Sequence, residues 1–142
     1  MVQCLLITHG DLGTELVRVA ERILEKPADV VCVAFQWQAD LSDMVREIDS
    51  FVRSHQDEPI LVLTDMFGGS PANLSMKYLS DRVEILTGVN LPGLLKFLTY
   101  RDRAMTFPDL VRQVQKGTVD GVSVIGDLLG VRKDDRRKGG HH

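Results

Sequence analysis

The sequence predicts an α/β fold built on a mostly parallel sheet. Three observations carry that prediction. Short apolar runs alternate with helically spaced segments along the chain, the pattern of strand–helix repeats. The runs are continuous and do not alternate with polar residues, as expected of strands covered by helices on both faces. The length, 142 residues, suits one domain large enough to bury a core without disulfides or metals.

Residues 2–8, VQCLLIT, form the first apolar run. Leu12, Leu16, Val17, Ala20, Ile23 and Leu24 then recur at helical spacing over residues 12–25, and Pro27 stops that helix. VVCVAF at 30–35 reads as the second strand. A second helix over 41–54 carries Leu41, Met44, Val45, Ile48, Phe51 and Val52 on one face, with Asp40 as its N-cap. ILVL at 60–63 is the third strand, and a helix runs from about Pro71 to Leu79. VEIL at 83–86 is the fourth strand, and a helix follows Asn90, capped by that residue. The last helix starts near Thr106, where T-F-P-D resembles a capping box. VSVI at 122–125 reads as a late short strand. The folded domain is expected over residues 1–130, with 131–142 a disordered tail whose final histidines resemble a tag remnant.

Composition narrows the function. Hydrophobic residues make up 44% and charged residues 26%, ordinary for a globular protein, and the formal charge is −3. That balance argues against nucleic acid and against an anionic membrane surface as partners. No apolar run reaches the length of a membrane span. The start, MVQCLLITHG, lacks a basic leader segment, so a cytoplasmic location is expected. Cys4 and Cys32 sit inside apolar runs and lack the spacing of a redox pair or a zinc site, so no metal is expected.

In open α/β sheets, ligands bind beyond the carboxyl ends of strands where strand order reverses. Two polar residues fall at such ends. His9 leaves the first strand and Asp65 the third. With a strand order of 2-1-3-4 the two would face each other across the reversal. A nucleophilic histidine needs one free nitrogen, and an acid on the other nitrogen fixes the tautomer and stabilises the cation that forms. Beside Asp65 stands the turn FGGSP. Gly68 and Gly69 permit a tight turn and close backbone approach. Ser70 is placed as N-cap and Pro71 at the first helical position, which would aim free N–H groups at an anion. Taken alone, each feature also has a purely structural reading. No nucleotide-binding glycine fingerprint is present.

ITHG at 7–10, LTDMFGGSPAN at 63–73 and TGVNLPGLL at 87–95 together resemble the enzyme IIA domain of the mannose family of the bacterial phosphoenolpyruvate:sugar phosphotransferase system (PTS). The resemblance spans roughly residues 2–127. It implies a phosphotransferase in which His9 accepts a phosphoryl group from phospho-HPr and passes it to enzyme IIB, here a separate protein. It implies that Asp65 orients His9, that Ser70, Gly68 and Gly69 hold the phosphate, and that no cofactor is needed. It further implies a three-layer fold with helices on both faces, sheet order 2-1-3-4 and an antiparallel edge strand, for which VSVI is the candidate. That strand is often exchanged within a homodimer. Contact with a membrane permease through IIB would follow. Two other readings share the same histidine: a regulatory module sensing phosphorylation state, and a subunit serving dihydroxyacetone kinase.

The surroundings of this pair leave several expectations. Asp11–Gly13 departs from the apolar or small residues expected after the histidine-glycine pair. Trp37, at the same sheet edge, would be a docking residue if exposed and core if covered. Met66 is expected on a rim around His9 and Phe67 turned inward. His55 reads as a solvated loop residue, and Arg101 and Arg103 as a solvated helix end.

Overall fold

A computed structural model describes residues 1–131. The expected tail therefore lies outside the described residues, apart from Val131. The elements follow the predicted alternation: β1 (Gln3–His9), α1 (Leu12–Leu24), β2 (Val31–Phe35), α2 (Leu41–Ser54), β3 (Ile60–Thr64), α3 (Ser70–Ser75), β4 (Val83–Thr87), α4 (Leu91–Tyr100) and α5 (Phe107–Asp120). The four strands form one sheet of order β2-β1-β3-β4, and every pairing is parallel. The reversal of strand order thus falls between β1 and β3, the two central strands.

Burial explains the continuous apolar runs. Leu5, Leu6, Ile7 and all five residues of β3 are buried. On one face Cys4, Leu6, Leu61 and Leu63 pack under Val17 and Ala20 of α1, Leu94 and Phe97 of α4, and Leu110 and Val114 of α5. On the other, Leu5, Ile7, Ile60 and Val62 meet Met44, Ile48, Phe51 and Val52 of α2. Both cysteines are free thiols, and burial pushes Cys4 up to about 12, an inert group.

Three helix starts behave as their sequences predict. Asp40 accepts from the Ser42 N–H, and Thr106 from that of Asp109. Asn90 accepts from the Gly93 N–H at 2.9 Å and donates to the Thr118 carbonyl at 2.9 Å, tying α4 to α5. No helix among the described residues is long and apolar enough to cross a membrane.

The expected antiparallel edge strand is absent. Residues 122–124 are irregular, and Ile125–Leu128 forms a single helical turn. The backbone bonds Leu128 N–H to Val124 O and Leu129 N–H to Ile125 O satisfy the run locally, so its β-branched residues never reach a ladder. Among the described residues the outer edge of β4 has no neighbouring strand.

Two further expectations are corrected. Arg101 is 7% exposed and its guanidinium binds three backbone carbonyls. His55 stands at the C-cap of α2, its ring 4.6 Å from Phe51 and its Nδ1 3.1 Å from Glu58 Oε1, and is only partly exposed. Arg101 is drawn inward by carbonyls far away in the chain, His55 by the nearby Phe51 and Glu58.

Candidate active site

Adjacent parallel strands deliver His9 and Asp65 to one rim. Ile7 pairs with Thr64 in the β1–β3 register, so Asp65 leaves β3 level with Thr8, one residue short of His9 at the end of β1. Asp65 Oδ2 accepts the His9 backbone N–H at 2.9 Å and meets the ring Nδ1 at 2.8 Å. An ionised carboxylate only accepts, so Nδ1 carries the ring proton. In the neutral ring Nε2 then holds a free lone pair. The Asp65 side chain is 10% exposed and that of His9 24%, a buried acid behind a reachable imidazole. Burial opposes the Asp65 charge, but the hydrogen bonds from the His9 backbone and ring, with the His9 charge, outweigh it and hold the carboxyl below its usual range.

The turn after Asp65 closes over the far side of the ring. Gly68 takes a φ of +84°. A Cβ added at Gly69 would lie 2.8 Å from His9 Cε1 and 3.4 Å from Nε2, so only glycine lets the backbone approach this closely. Gly69, not Ser70, is the N-cap of α3; Ser70 is already helical, and proline follows within the first turn. The first intrahelical bond runs from Asn73 N–H to Gly69 O. Ser70 and Ala72 therefore keep N–H groups without an intrahelical acceptor, beside the ring.

Two residues around His9, Thr8 and Phe35, escaped the sequence reading, and a third, Trp37, was placed at this edge with its exposure left open. Thr8, fully buried, accepts the Gly13 N–H at 2.8 Å and so caps α1 from the end of β1, whereas Asp11 makes no side-chain cap bond. Phe35 meets the His9 ring edge-on, with centroids 5.5 Å apart. Trp37 stands beside it, with centroids 5.8 Å apart and planes tilted 31°. The signal for Phe35 and Trp37 was their place at the end of β2, whose register pairs Phe35 with His9. Trp37 proves to be 71% exposed. Met66 is on the rim as expected, but Phe67 also points outward, 75% exposed, at the start of the turn that Gly68 makes with a positive φ. Arg103 fits its expectation better than Arg101: its guanidinium lies on the Tyr100 ring at the far end of α4.

A buried carboxylate pins one imidazole nitrogen, the other stays free, and backbone donors lie alongside: the site has the parts of a histidine nucleophile for a phosphoryl-sized anion. The sequence model of the family EIIA-man, PTS system fructose IIA component, matches residues 3–115, and the chain belongs to that family. It is 26% identical over 121 residues to the PTS system mannose-specific EIIAB component of Escherichia coli K12, covering 83% of this chain and 38% of that protein. The chain thus spans well under half the length of that relative. It is 25% identical over 132 residues to the PTS system fructose-specific EIIA component of Bacillus subtilis, covering 91% of this chain and 90% of the relative. Among solved structures, a phosphotransferase system component EIIA from Streptococcus agalactiae superposes with a TM-score of 0.75 at 26% identity, over 89% of this chain and 99% of that one.

Proposed function

We infer that the chain is a phosphocarrier of sugar uptake, with His9 as the phosphorylated residue. Phospho-HPr is the donor and an enzyme IIB the acceptor. The observation that carries this reading is the 2.8 Å pairing of His9 Nδ1 with Asp65, which leaves Nε2 the attacking atom. The Nε2 lone pair forms a new P–N bond as the donor's P–N bond breaks, its electron pair staying on the donor nitrogen. Nδ1 keeps its proton, so the ring leaves the step as a cation facing Asp65. In the reverse sense the same atoms hand the group onward. Gly68, Gly69 and Ser70 cradle the phosphoryl oxygens through backbone N–H groups and the serine hydroxyl.

An open rim suits a relay, because two different proteins must reach one nitrogen. Met66, Phe67 and Trp37 supply apolar exposed surface for them. No cofactor or metal enters the step. The reading places the protein in the cytoplasm, touching the membrane only through IIB and its permease. Incubation with phosphoenolpyruvate, enzyme I and HPr should add one phosphoryl group to the wild type and none to His9→Ala, as read by intact mass. A wild type that stays unmodified in an active donor mixture sinks the carrier reading.

A homodimer belongs to the same proposal. Val119, Val122, Val124, Ile125, Leu128 and Leu129 are exposed within one short stretch of chain, and among the described residues β4 is an edge strand with no outer neighbour. Sedimentation equilibrium at micromolar concentration is expected to return a dimer mass; a monomer mass would reject this part alone.

A further inference from the structure

Trp37 is held against His9 although most of its surface faces solvent. Its turn is tied down twice: Gly10 N–H bonds Phe35 O at 2.7 Å, and Gln36 Nε2 bonds Asp11 Oδ1 at 3.3 Å. A third bond, Ala39 N–H to Gln36 O, closes the turn itself. The indole rests on Gly10, where an added Cβ would lie 3.5 Å from Trp37 Cζ3, and meets Phe35 at 6.0 Å in an edge-to-face arrangement. These contacts aim the indole at the imidazole, with centroids 5.8 Å apart. An exposed tryptophan is ordinarily free to choose rotamers, so a seat of this kind needs a reason.

We propose that Trp37 is an electrostatic partner of His9, its π-face stabilising the phosphoimidazolium that the ring becomes when Nε2 is phosphorylated. The proposal deepens the phosphocarrier reading of the same site. Its physical basis is the charge on the ring: phosphorylation at Nε2 with the proton kept on Nδ1 makes the imidazole a cation. A cation within about 6 Å of an indole centroid is attracted to the negative face of the ring. Asp65 meets that cation at Nδ1, while the indole stands 5.8 Å from the imidazole centroid with the planes tilted 31°. Asp11 is the other carboxylate on the neighbouring loop, engaged by Gln36. Hydrolysis discharges the cation: water adds to phosphorus, the P–Nε2 bond breaks, its electron pair returns to Nε2 and inorganic phosphate departs. Whatever favours the cation over the neutral leaving group slows that step. Trp37 therefore lengthens the life of the phosphorylated carrier while it waits for an acceptor.

The test loads His9 with phosphoramidate, a small donor that phosphorylates histidine without a carrier protein, and follows decay at fixed pH by phosphorus NMR. His9→Ala assigns the signal. Trp37→Leu keeps apolar bulk and loses the π-face; Trp37→Phe keeps a weaker one. Trp37→Leu is expected to shorten the phosphohistidine lifetime about two- to fivefold, the scale of an exposed cation–π contact, with Trp37→Phe in between. Equal lifetimes in all three proteins overturn the proposal, and so does a phenylalanine no better than leucine. Unchanged decay with slowed transfer from phospho-HPr alone assigns Trp37 to docking and overturns it as well. A His9 that phosphoramidate leaves unmodified also overturns it. If phosphoramidate loads the site and phospho-HPr does not, the carrier reading fails while the decay comparison still decides this one.

Discussion

Replacing Asp65 with asparagine is expected to slow phosphoryl acceptance by about a hundred- to ten-thousandfold while the fold stays intact. The estimate takes its upper end from serine proteases, where the equivalent acid-to-amide change costs about ten-thousandfold by stabilising the wrong tautomer. Here the geometry has the same logic. Asp65 Oδ2 accepts two N–H groups of one residue, backbone at 2.9 Å and ring at 2.8 Å. An asparagine that keeps its oxygen there preserves both bonds and loses only the charge that faces the phosphoimidazolium. One that turns its NH2 to the ring makes Nδ1 an acceptor, and the proton moves to Nε2, where it occupies the attacking lone pair. Rapid-quench measurement of phosphoryl incorporation from phospho-HPr reads the rate. A rate within tenfold of wild type would reject the orienting role. The same acid carries a pH signature. Its folded carboxyl titrates below its ordinary value, so the stability it contributes is complete above the unfolded pKa of about 3.9. That contribution disappears as the pH falls through the lowered folded value. Asp65→Asn should therefore remove part of the acid limb of the unfolding profile and leave neutral pH the better place to compare rates.

What the sequence could and could not reveal follows from the range of each interaction. Strands and helices were legible because their evidence is local: VQCLLIT and ILVL are too apolar for anything but a sheet covered on both faces, and the spacing from Leu41 to Val52 allows one helical face. His9 and Asp65 were legible because each follows the threonine that closes such a run, and parallel strands bring their ends to one edge. The cap of α3 was misplaced by one residue, since serine and glycine both serve as caps and only the approach of Gly69 to the His9 ring separates them. VSVI carries the composition of a strand, but a ladder needs a neighbour, and the described chain offers it a local helical turn instead. Phe67 was misjudged by treating hydrophobicity as inwardness, a rule that fails at a functional rim. The α1 cap was invisible because Thr8 reaches it from the preceding strand, while Asp11, a residue of the usual capping type, makes no cap bond and accepts from Gln36 instead.

Arg101 was the least legible residue, and it carries the second large expected effect. YRDR looks like charges fraying into water at a helix end. Nothing near it in the chain reveals that Nη1 donates to Ala28 O at 2.8 Å and Asp29 O at 3.0 Å, or that Nη2 donates to Val2 O at 2.7 Å. Those carbonyls belong to segments just before β2 and β1. One guanidinium thus fastens the end of α4 to the amino edge of the sheet, opposite the edge that carries His9. The group also lies over the Phe97 ring at 4.9 Å, within cation–π range. The planar fork matters, because three acceptors on two segments need donors pointing in fixed, different directions. Arg101→Met keeps much of the stem's packing and removes every donor. With roughly 1.5–3 kcal/mol for each hydrogen bond to a charged group, and some carbonyls regaining water, a net loss of about 3–4 kcal/mol is expected. For a domain of this size that lowers the melting temperature by roughly 10 °C. Arg101→Lys should recover less than half, since an ammonium cannot span both segments. Phosphoryl acceptance per folded molecule should stay within twofold of wild type in both variants, because no Arg101 contact reaches the His9 rim. Thermal melts of the three proteins with activities measured well below the transition separate the two quantities. A methionine variant that melts with the wild type would mean the carbonyls find water at no cost, and a variant that melts normally but loses transfer would place this end of the sheet in communication with the site.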